Sequence, residues 1–426
     1  MYRNLMLVVV CGIGLFLTYD FIFAQSTYPK PALDDVVSRY YDKQFLIKAA
    51  AYHHERLGLF FAHIAIVFLF VFILLTRRVF KIARFFEMLS GNRPWLARLI
   101  IISIVFAIFS IIRLPFLLAH FNLAHDFGLR QDRLSAFLLD WMAMKSIAWL
   151  TICVPMLAVL AMFARFQRCW WLVSGLMLGV LAVGYIMLAP LVIDPLFNQF
   201  KKLDDSKLNQ QLVDLAGDSG VDVDNIWVAD ASRRTLRANA YFSGFLGTQR
   251  IVLYDTLLQK YSDKEIINIV AHELAHWKQK HIIKGILIAI VGLVIGLFIL
   301  HQILSWILKN RIRGISRRTD PVLALPVYVI YIVSAYFVMA PANWVSRQME
   351  MEADQISLEL TRDPETFIQT SVKLARQNLS QVFPPAWIEV VFYTHPANVR
   401  RIHMAEAFKE RILFVERQSF QTSDKP

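Results

Sequence analysis

The stretch Ser262-Asp263-Lys264-Glu265-Ile266-Ile267-Asn268-Ile269-Val270-Ala271-His272-Glu273-Leu274-Ala275-His276-Trp277-Lys278-Gln279-Lys280-His281, followed at once by the apolar run Ile283–Leu308, decides how this chain reads. Ser262 and Glu265 have the spacing of a capping box, and Ile266, Ile267, Ile269 and Val270 carry a helix onward into His272. Residues four apart share a helix face, so His272 and His276 point the same way with Glu273 beside them. The run behind them is long enough to cross a bilayer, which takes roughly 20 apolar residues. A polar, histidine-bearing helix therefore abuts a membrane span.

The rest of the chain agrees with a membrane setting. Of its 426 residues 57% are hydrophobic and the mean hydropathy is +0.47, above the usual soluble range of about half apolar. Further apolar runs lie at Leu57–Thr76, Leu99–Leu118, Ile147–Ala164, Trp171–Ile193 and Val322–Val345. An earlier run, Leu5–Ala24, is either a seventh span or a secretory signal ending near Ala24-Gln25-Ser26; Asp20 and the lack of a clean A-x-A site favour a retained helix. Trp170 and Trp171, where a run begins, suit a membrane–water interface. The net charge of +12 sits in short loops between these runs, as topology determinants do, and does not read as a nucleic-acid footprint. Cys11, Cys153 and Cys169 show no paired spacing, which excludes a disulfide framework and a thiolate metal site. The chain has no solenoid repeat and no low-complexity tract.

One long stretch, from about Asp194 to His281, reads as a water-soluble α/β unit. Lys207–Ala216 places Leu208, Leu212 and Leu215 on one helix face, and Ile226–Ala229 is short and β-prone. Asn239–Gly244 and Arg250–Tyr254 flank a short linker containing Gly247, the pattern of an antiparallel hairpin.

Two imidazoles on one helix face match the needs of a tetrahedral Zn²⁺, and the adjacent Glu273 is placed to take a proton from an attacking water and pass it to a leaving amine. Hydrolytic zinc sites typically hold three protein ligands, so another donor is needed. The polar stretch Ser346–Asp354 supplies Glu350 or, as a rival, Glu352; a solvated charged face would look the same. Asp354, one turn beyond Glu350, is placed to accept the free ring N–H of a ligand histidine.

These residues resemble the type I CAAX prenyl endopeptidase family and its bacterial homologues, and more distantly the HtpX proteases. The resemblance is carried by His272-Glu273-Leu274-Ala275-His276-Trp277-Lys278-Gln279-Lys280-His281, by Asn239-Ala240-Tyr241-Phe242-Ser243-Gly244, by Arg250–Leu258, and by Pro195-Leu196-Phe197-Asn198. Glu350-Met351-Glu352-Ala353-Asp354 is similar to the family's E-x-x-A-D, which implies Glu350 as third ligand and Asp354 as the partner of a ligand histidine. Thr394-His395-Pro396 and Arg401 look like the family's H-P segment, implying that His395 hydrogen-bonds the tetrahedral oxyanion and Arg401 holds neighbouring groups. Asn239, Ala240 and Tyr241 resemble its substrate-binding edge strand, to which an extended peptide adds. Weaker likeness at Ser38–Lys43 and Asp126–Leu129 extends the match over most of the chain; Ala275 replaces the glycine common in prenyl-processing members.

The implied fold is mainly α-helical: an integral membrane protein of about seven helices around a water-filled chamber, with a small α/β gluzincin-like zinc protease domain. His63, Arg113 and His301, polar groups inside apolar runs, fit a wet chamber or helix–helix hydrogen bonds equally. The expected organisation is a first span or signal over 1–25, membrane helices over 57–193, the protease domain over 194–282, two more membrane helices over 283–345, and the third-ligand helix with the remainder of the site over 346–426. The expected activity is a zinc metalloendopeptidase with one Zn²⁺ per chain, acting on membrane-associated or extended polypeptides, in maturation or in HtpX-like quality control. Its partners are a peptide or protein substrate and the lipid bilayer; nothing in the sequence specifies an oligomeric state. A transporter is disfavoured by the lack of an inverted repeat, and a silent scaffold by the presence of Glu273.

Charge asymmetry orients the chain. Arg77, Arg78, Lys81, Arg84, Arg93 and Arg98 oppose only Glu87 in one loop; Lys309, Arg311, Arg313, Arg317 and Arg318 oppose only Asp320 in another. Both are expected in the cytoplasm, with Arg165, Arg168 and Arg3 on the same side. The loop with Arg130, Arg133 and Lys145 balances Asp126, Asp132 and Asp140. The active site is then expected on the periplasmic or exterior face of a bacterial inner membrane.

Overall fold

A computed structural model of the chain describes residues 30–91, 93–204, 206–221, 226–243 and 250–423. The expected first run, Leu5–Ala24, lies outside the described residues, as do Cys11, Gly244 and the hairpin linker with Gly247.

Among the described residues six helices are long and apolar enough to cross a membrane, one for each of the six later runs. In chain order the structure begins with α1 (Lys30–Tyr40), α2 (Lys43–Leu74), the short α3 (Arg77–Leu89), α4 (Pro94–Asp126), α5 (Leu134–Arg165) and α6 (Trp170–Leu188). Helical turns over 189–197 extend α6. After the α/β unit come α10 (His281–Lys309) and α11 (Ala324–Thr361). Only 6% of the most apolar part of α10 is buried within the protein, against 50% for α11. Side chains such as Leu287, Val291 and Ile295, all more than half exposed, have no place in water and face lipid. Close helix contact is made by small residues: a Cβ on Gly175 of α6 would lie 2.7 Å from Val294 of α10, and Gly179, one turn on, abuts Ile290.

The α/β unit carries a four-stranded sheet ordered β1-β2-β4-β3. Its strands are β1 (Phe200–Lys202), β2 (Ile226–Ala229), β3 (Ala240–Ser243) and β4 (Arg250–Tyr254), with α7 (Lys207–Asp218), α8 (Asp255–Lys260) and α9 (Asp263–Lys278) around them. The expected hairpin is present: β3 pairs antiparallel with β4, Ala240 opposite Leu253. Two features were not expected. The three-residue β1 adds an antiparallel edge, and β2 runs parallel to β4, with β3, which lies between them in sequence, paired on the far side of β4. Leu208, Leu212, Ile251, Leu253, Ile266, Val270 and Leu274 form its core, so α9 is seated on the sheet by the face opposite its histidines.

The remaining helices are α12 (Pro364–Gln377), α13 (Ala386–Phe392) and α14 (Asn398–Ser423). α12 and α14 pack with α1 and the start of α2 in a second core around Val36, Tyr41, Phe367 and Val399. The largest core joins the far ends of the membrane helices through Phe70, Ile102, Leu160, Trp170, Leu304 and Tyr328. Around it the basic loops meet on one side: Arg318 donates to the carbonyls of Phe163, Phe166 and Gln167, Arg313 to that of Leu75, and Arg84 pairs with Asp320. On the opposite side the 127–133 loop joins the α/β unit, Leu236 N donating to Leu129 O and Gln131 to Ser232 O. The cation-rich loops and the histidine helix thus occupy opposite ends of the helix bundle.

Candidate active site

Helix α9 starts at the capping box read from the sequence: Glu265 N donates to Ser262 Oγ, and Ser262 N to Glu265 Oε2 at 2.8 Å. This start fixes the phase with which His272 and His276 emerge toward α11. The last membrane run and the polar 346–354 stretch are one continuous helix, α11, so Glu350 arrives at the site on a membrane-spanning element.

The three atoms meet closely. His272 Nε2 lies 3.2 Å from His276 Nε2 and 3.1 Å from Glu350 Oε2, and His276 Nε2 lies 3.5 Å from Glu350 Oε1. Asp354, fully buried, stands 2.9 Å from His272 Nδ1 and accepts from Arg401 Nε at 2.7 Å, so it remains an anionic acceptor. His272 must then carry its proton on Nδ1 and turn the Nε2 lone pair inward. On the other side His276 Nδ1 is 2.9 Å from His281 Nδ1, and His281 Nε2 is 3.0 Å from Glu352. With the Glu352 carboxylate accepting, His281 holds its proton on Nε2 and accepts at Nδ1, which leaves the His276 Nε2 lone pair facing inward too.

With both imidazoles neutral, these contacts direct two nitrogen lone pairs and the Glu350 carboxylate to one place, where a cation is stabilised. A tetrahedron with bonds of about 2.0–2.1 Å, the length of zinc–imidazole bonds, has edges of about 3.3–3.4 Å. The separation of the two imidazole nitrogens is close to such an edge, and Glu350 brings one oxygen near each of them, so the donor set fits a zinc-sized ion in both chemistry and spacing.

Glu273 is turned from the cluster toward the sheet, and its Oε2 accepts from Phe242 N of β3 at 3.3 Å. Burial pushes its carboxyl above the ordinary carboxylate range. β3 is the edge strand. Because Asn239 O accepts from Tyr254 N, the pleat turns the backbone groups of Asn239 and Tyr241 toward β4 and those of Ala240 and Phe242 to the free edge. Of the three strand residues expected to meet substrate, Ala240 offers its backbone outward; Phe242 does so as well.

His395 Nε2 lies 3.2 Å from Glu350 Oε2, and its side chain is 54% exposed, open to an incoming ligand. The turn that carries it is tied to α11: buried Arg347 donates to the carbonyls of Glu389, Val390 and Tyr393, while Glu389 accepts from Ala397 N and Arg400. Arg401 sits on Asp354.

With this geometry in place, comparison with known proteins is specific. Residues 202–409 match Peptidase family M48, and residues 24–199 match the five-helix N-terminal region of CAAX prenyl proteases. The chain belongs to the CAAX prenyl protease branch of peptidase family M48. It is 28% identical over 367 residues to YhfN of Bacillus subtilis (strain 168), described as an uncharacterized metalloprotease, covering 85% of each chain. It is 26% identical to CAAX prenyl protease 1 of Saccharomyces cerevisiae (strain ATCC 204508 / S288c), over 69% of this chain and 68% of that one. The crystal structure of S. mikatae Ste24p superposes with a TM-score of 0.78 at 22% identity, covering 94% of this chain and 98% of that one, and shows the same fold, a helical membrane assembly around a chamber. This M48 member is accordingly a membrane zinc metalloprotease, and the family implies a metal where the two histidines and Glu350 meet.

The structure separates the two rival acids. Glu352, two residues from Glu350, leaves the helix on the other side and meets His281 and Lys284. Its contact with His281, like those of Phe242, Arg347 and Glu389, was not legible from local pattern; only the histidine five residues beyond His276 hinted at it. Replacing Glu352 by Ala is expected to weaken zinc binding roughly 10- to 100-fold, the usual cost of losing a group that orients a ligand. One equivalent should still bind at saturating zinc. Chelator competition measures both; loss of binding at saturation would make Glu352 a ligand.

Proposed function

We propose that this M48 protein hydrolyses peptide bonds of extended, membrane-associated polypeptides at one zinc ion per chain, held by His272, His276 and Glu350. The observation that carries this reading is the convergence of those three side chains within the reach of one ion, with Glu273 between them and an open strand edge. Zinc, when bound, supplies Lewis acidity toward water and a peptide carbonyl.

The chain's own groups do the rest. Ala240 and Phe242 present backbone to an extended peptide, which adds to β3 as a further strand. Glu273 takes the proton of the attacking water and delivers it to the leaving nitrogen; its raised pKa suits a group that must both accept and give. His395, held by its turn, donates to the oxygen that becomes negative during attack. Asp354 with Arg401 and Glu352 with His281 keep the two ligand imidazoles in the one tautomer that binds metal.

The same reading extends to orientation. Cation-rich loops at one end of the bundle and the site at the other support a cytoplasmic location for the loops and a periplasmic or exterior one for the site, as in a bacterial inner membrane.

Glu273→Gln is expected to abolish peptide cleavage while keeping one zinc bound, because the carboxylate is a base and not a ligand; zinc loss in that variant, measured by elemental analysis, refutes the assignment. N-methylation of substrate backbone amides near the scissile bond should sharply reduce kcat/KM; a peptide series indifferent to every such methylation rules out strand addition. In a cysteine-free background on intact cells, an impermeant maleimide should label a cysteine at Ser262 and spare one at Ser316, and the reverse pattern inverts the orientation.

A further inference from the structure

Helix α3 joins two membrane spans at the end of the bundle opposite the active site. Its inner face is packed: Phe80 and Ala83 are buried, and Arg84 reaches across to Asp320. Among the described residues nothing packs against the outer face. Arg77, Arg78 and Lys81 project from its first turns. Ile82, Phe85, Met88 and Leu89 follow at 54, 51, 66 and 63% exposure, and Trp95, just beyond, is 59% exposed. Such a helix is too short to span and too apolar along its outer side to stand in water.

Charge and continuity say what covers it. The only acids in the loops of this end are Glu87 and Asp320, and Arg84 engages both. Arg77, Arg78, Lys81, Arg93, Arg168 and Arg317 have no ion pair among the described residues. The apolar stripe of α3 continues into Ile73 at the end of α2 and into Trp95 at the start of α4, exposed surfaces of helices that cross the bilayer. The lipid that surrounds those spans therefore reaches α3. Uncompensated guanidinium and ammonium groups beside inserted apolar side chains match phosphates that carry net negative charge, and zwitterionic headgroups leave the excess unbalanced.

We propose that α3 lies in the plane of the membrane interface and that this end of the protein is a docking surface for anionic phospholipid headgroups. The inference is independent of the catalytic assignment, since no residue of the active site takes part.

The test uses the full chain reconstituted in phosphatidylcholine vesicles with and without phosphatidylglycerol, then extracted in mild detergent so that retained lipid can be counted by native mass spectrometry. The wild type should retain phosphatidylglycerol several-fold in excess over its share of the bilayer. Combined Arg77→Gln, Arg78→Gln and Lys81→Gln, which preserves helix propensity, should remove that excess. Combined Lys201→Gln, Lys202→Gln and Lys207→Gln, at the active-site end, should leave it intact. A fluorophore on Met88→Cys should be quenched by brominated acyl chains and shielded from aqueous iodide. Equal retention of the two lipids by the wild type, equal loss in both triple variants, or a Met88 probe reached by iodide alone overturns the proposal. So does a dimer in the vesicles that Phe85→Ser dissolves, which would assign the face to a second copy. Peptidase activity of the α3 variant, expected unchanged, shows that the protein is folded.

Discussion

Everything near the active site follows from one electrostatic constraint: two imidazoles and a carboxylate are held about 3 Å apart, a grouping that a cation stabilises. No single element meets it. α9 is fixed from below by the sheet, which buries Ile266, Val270 and Leu274. α11 is anchored by its membrane half and braced through Arg347 against the 389–397 turn. Two acidic partners then lock the imidazoles, Asp354 from α11 with Arg401 from α14, and Glu352 from α11 acting through His281 at the start of α10. α11 thus brings Glu350 to the two imidazoles and carries both carboxylates that orient them. Its membrane half is also the most buried of the six described spans, packed through Leu325 and Tyr328 at the opposite end of the bundle.

What could be read from the sequence was whatever is encoded locally. Runs of apolar residues mark spans because lipid acts on each segment separately, and the capped helix with His272 and His276 is legible because its start signal and its 3.6-residue period lie within one stretch. The third donor is 78 residues away and stood beside a rival two positions on; periodicity alone does not separate them, whereas in the fold Glu350 meets His272 of α9 and Glu352 meets His281 of α10. Phe200–Lys202 is too short and too charged to announce itself as a strand, and its pairing with β2 depends on tertiary register. The same parity explains the edge strand: Asn239, Ala240 and Tyr241 were identifiable as a group, but which of them faces outward is set by how β3 meets β4. Hydropathy, finally, reports where lipid ends, not where a helix ends, so Val322–Val345 and Ser346–Asp354 looked like two segments when they are one.

That unbroken α11 has a geometric consequence for depth. Its apolar run ends at Val345 and Glu350 follows five residues later, which at 1.5 Å per residue raises the ligand by only about 7–8 Å along the helix axis. Headgroup layers are roughly 5–8 Å thick on each side of the hydrocarbon core. Under the proposed function the scissile bond is therefore cut at the level of the phosphates. Pro341 lies within the membrane half, and neither a proline nor a loop falls between Val345 and Glu350, so that height is a fixed property of the protein, like the blade of a plane set above its sole. A polypeptide tethered to the same leaflet meets the blade without leaving the surface, and the bond it loses is selected by its distance from its own point of attachment to the lipid.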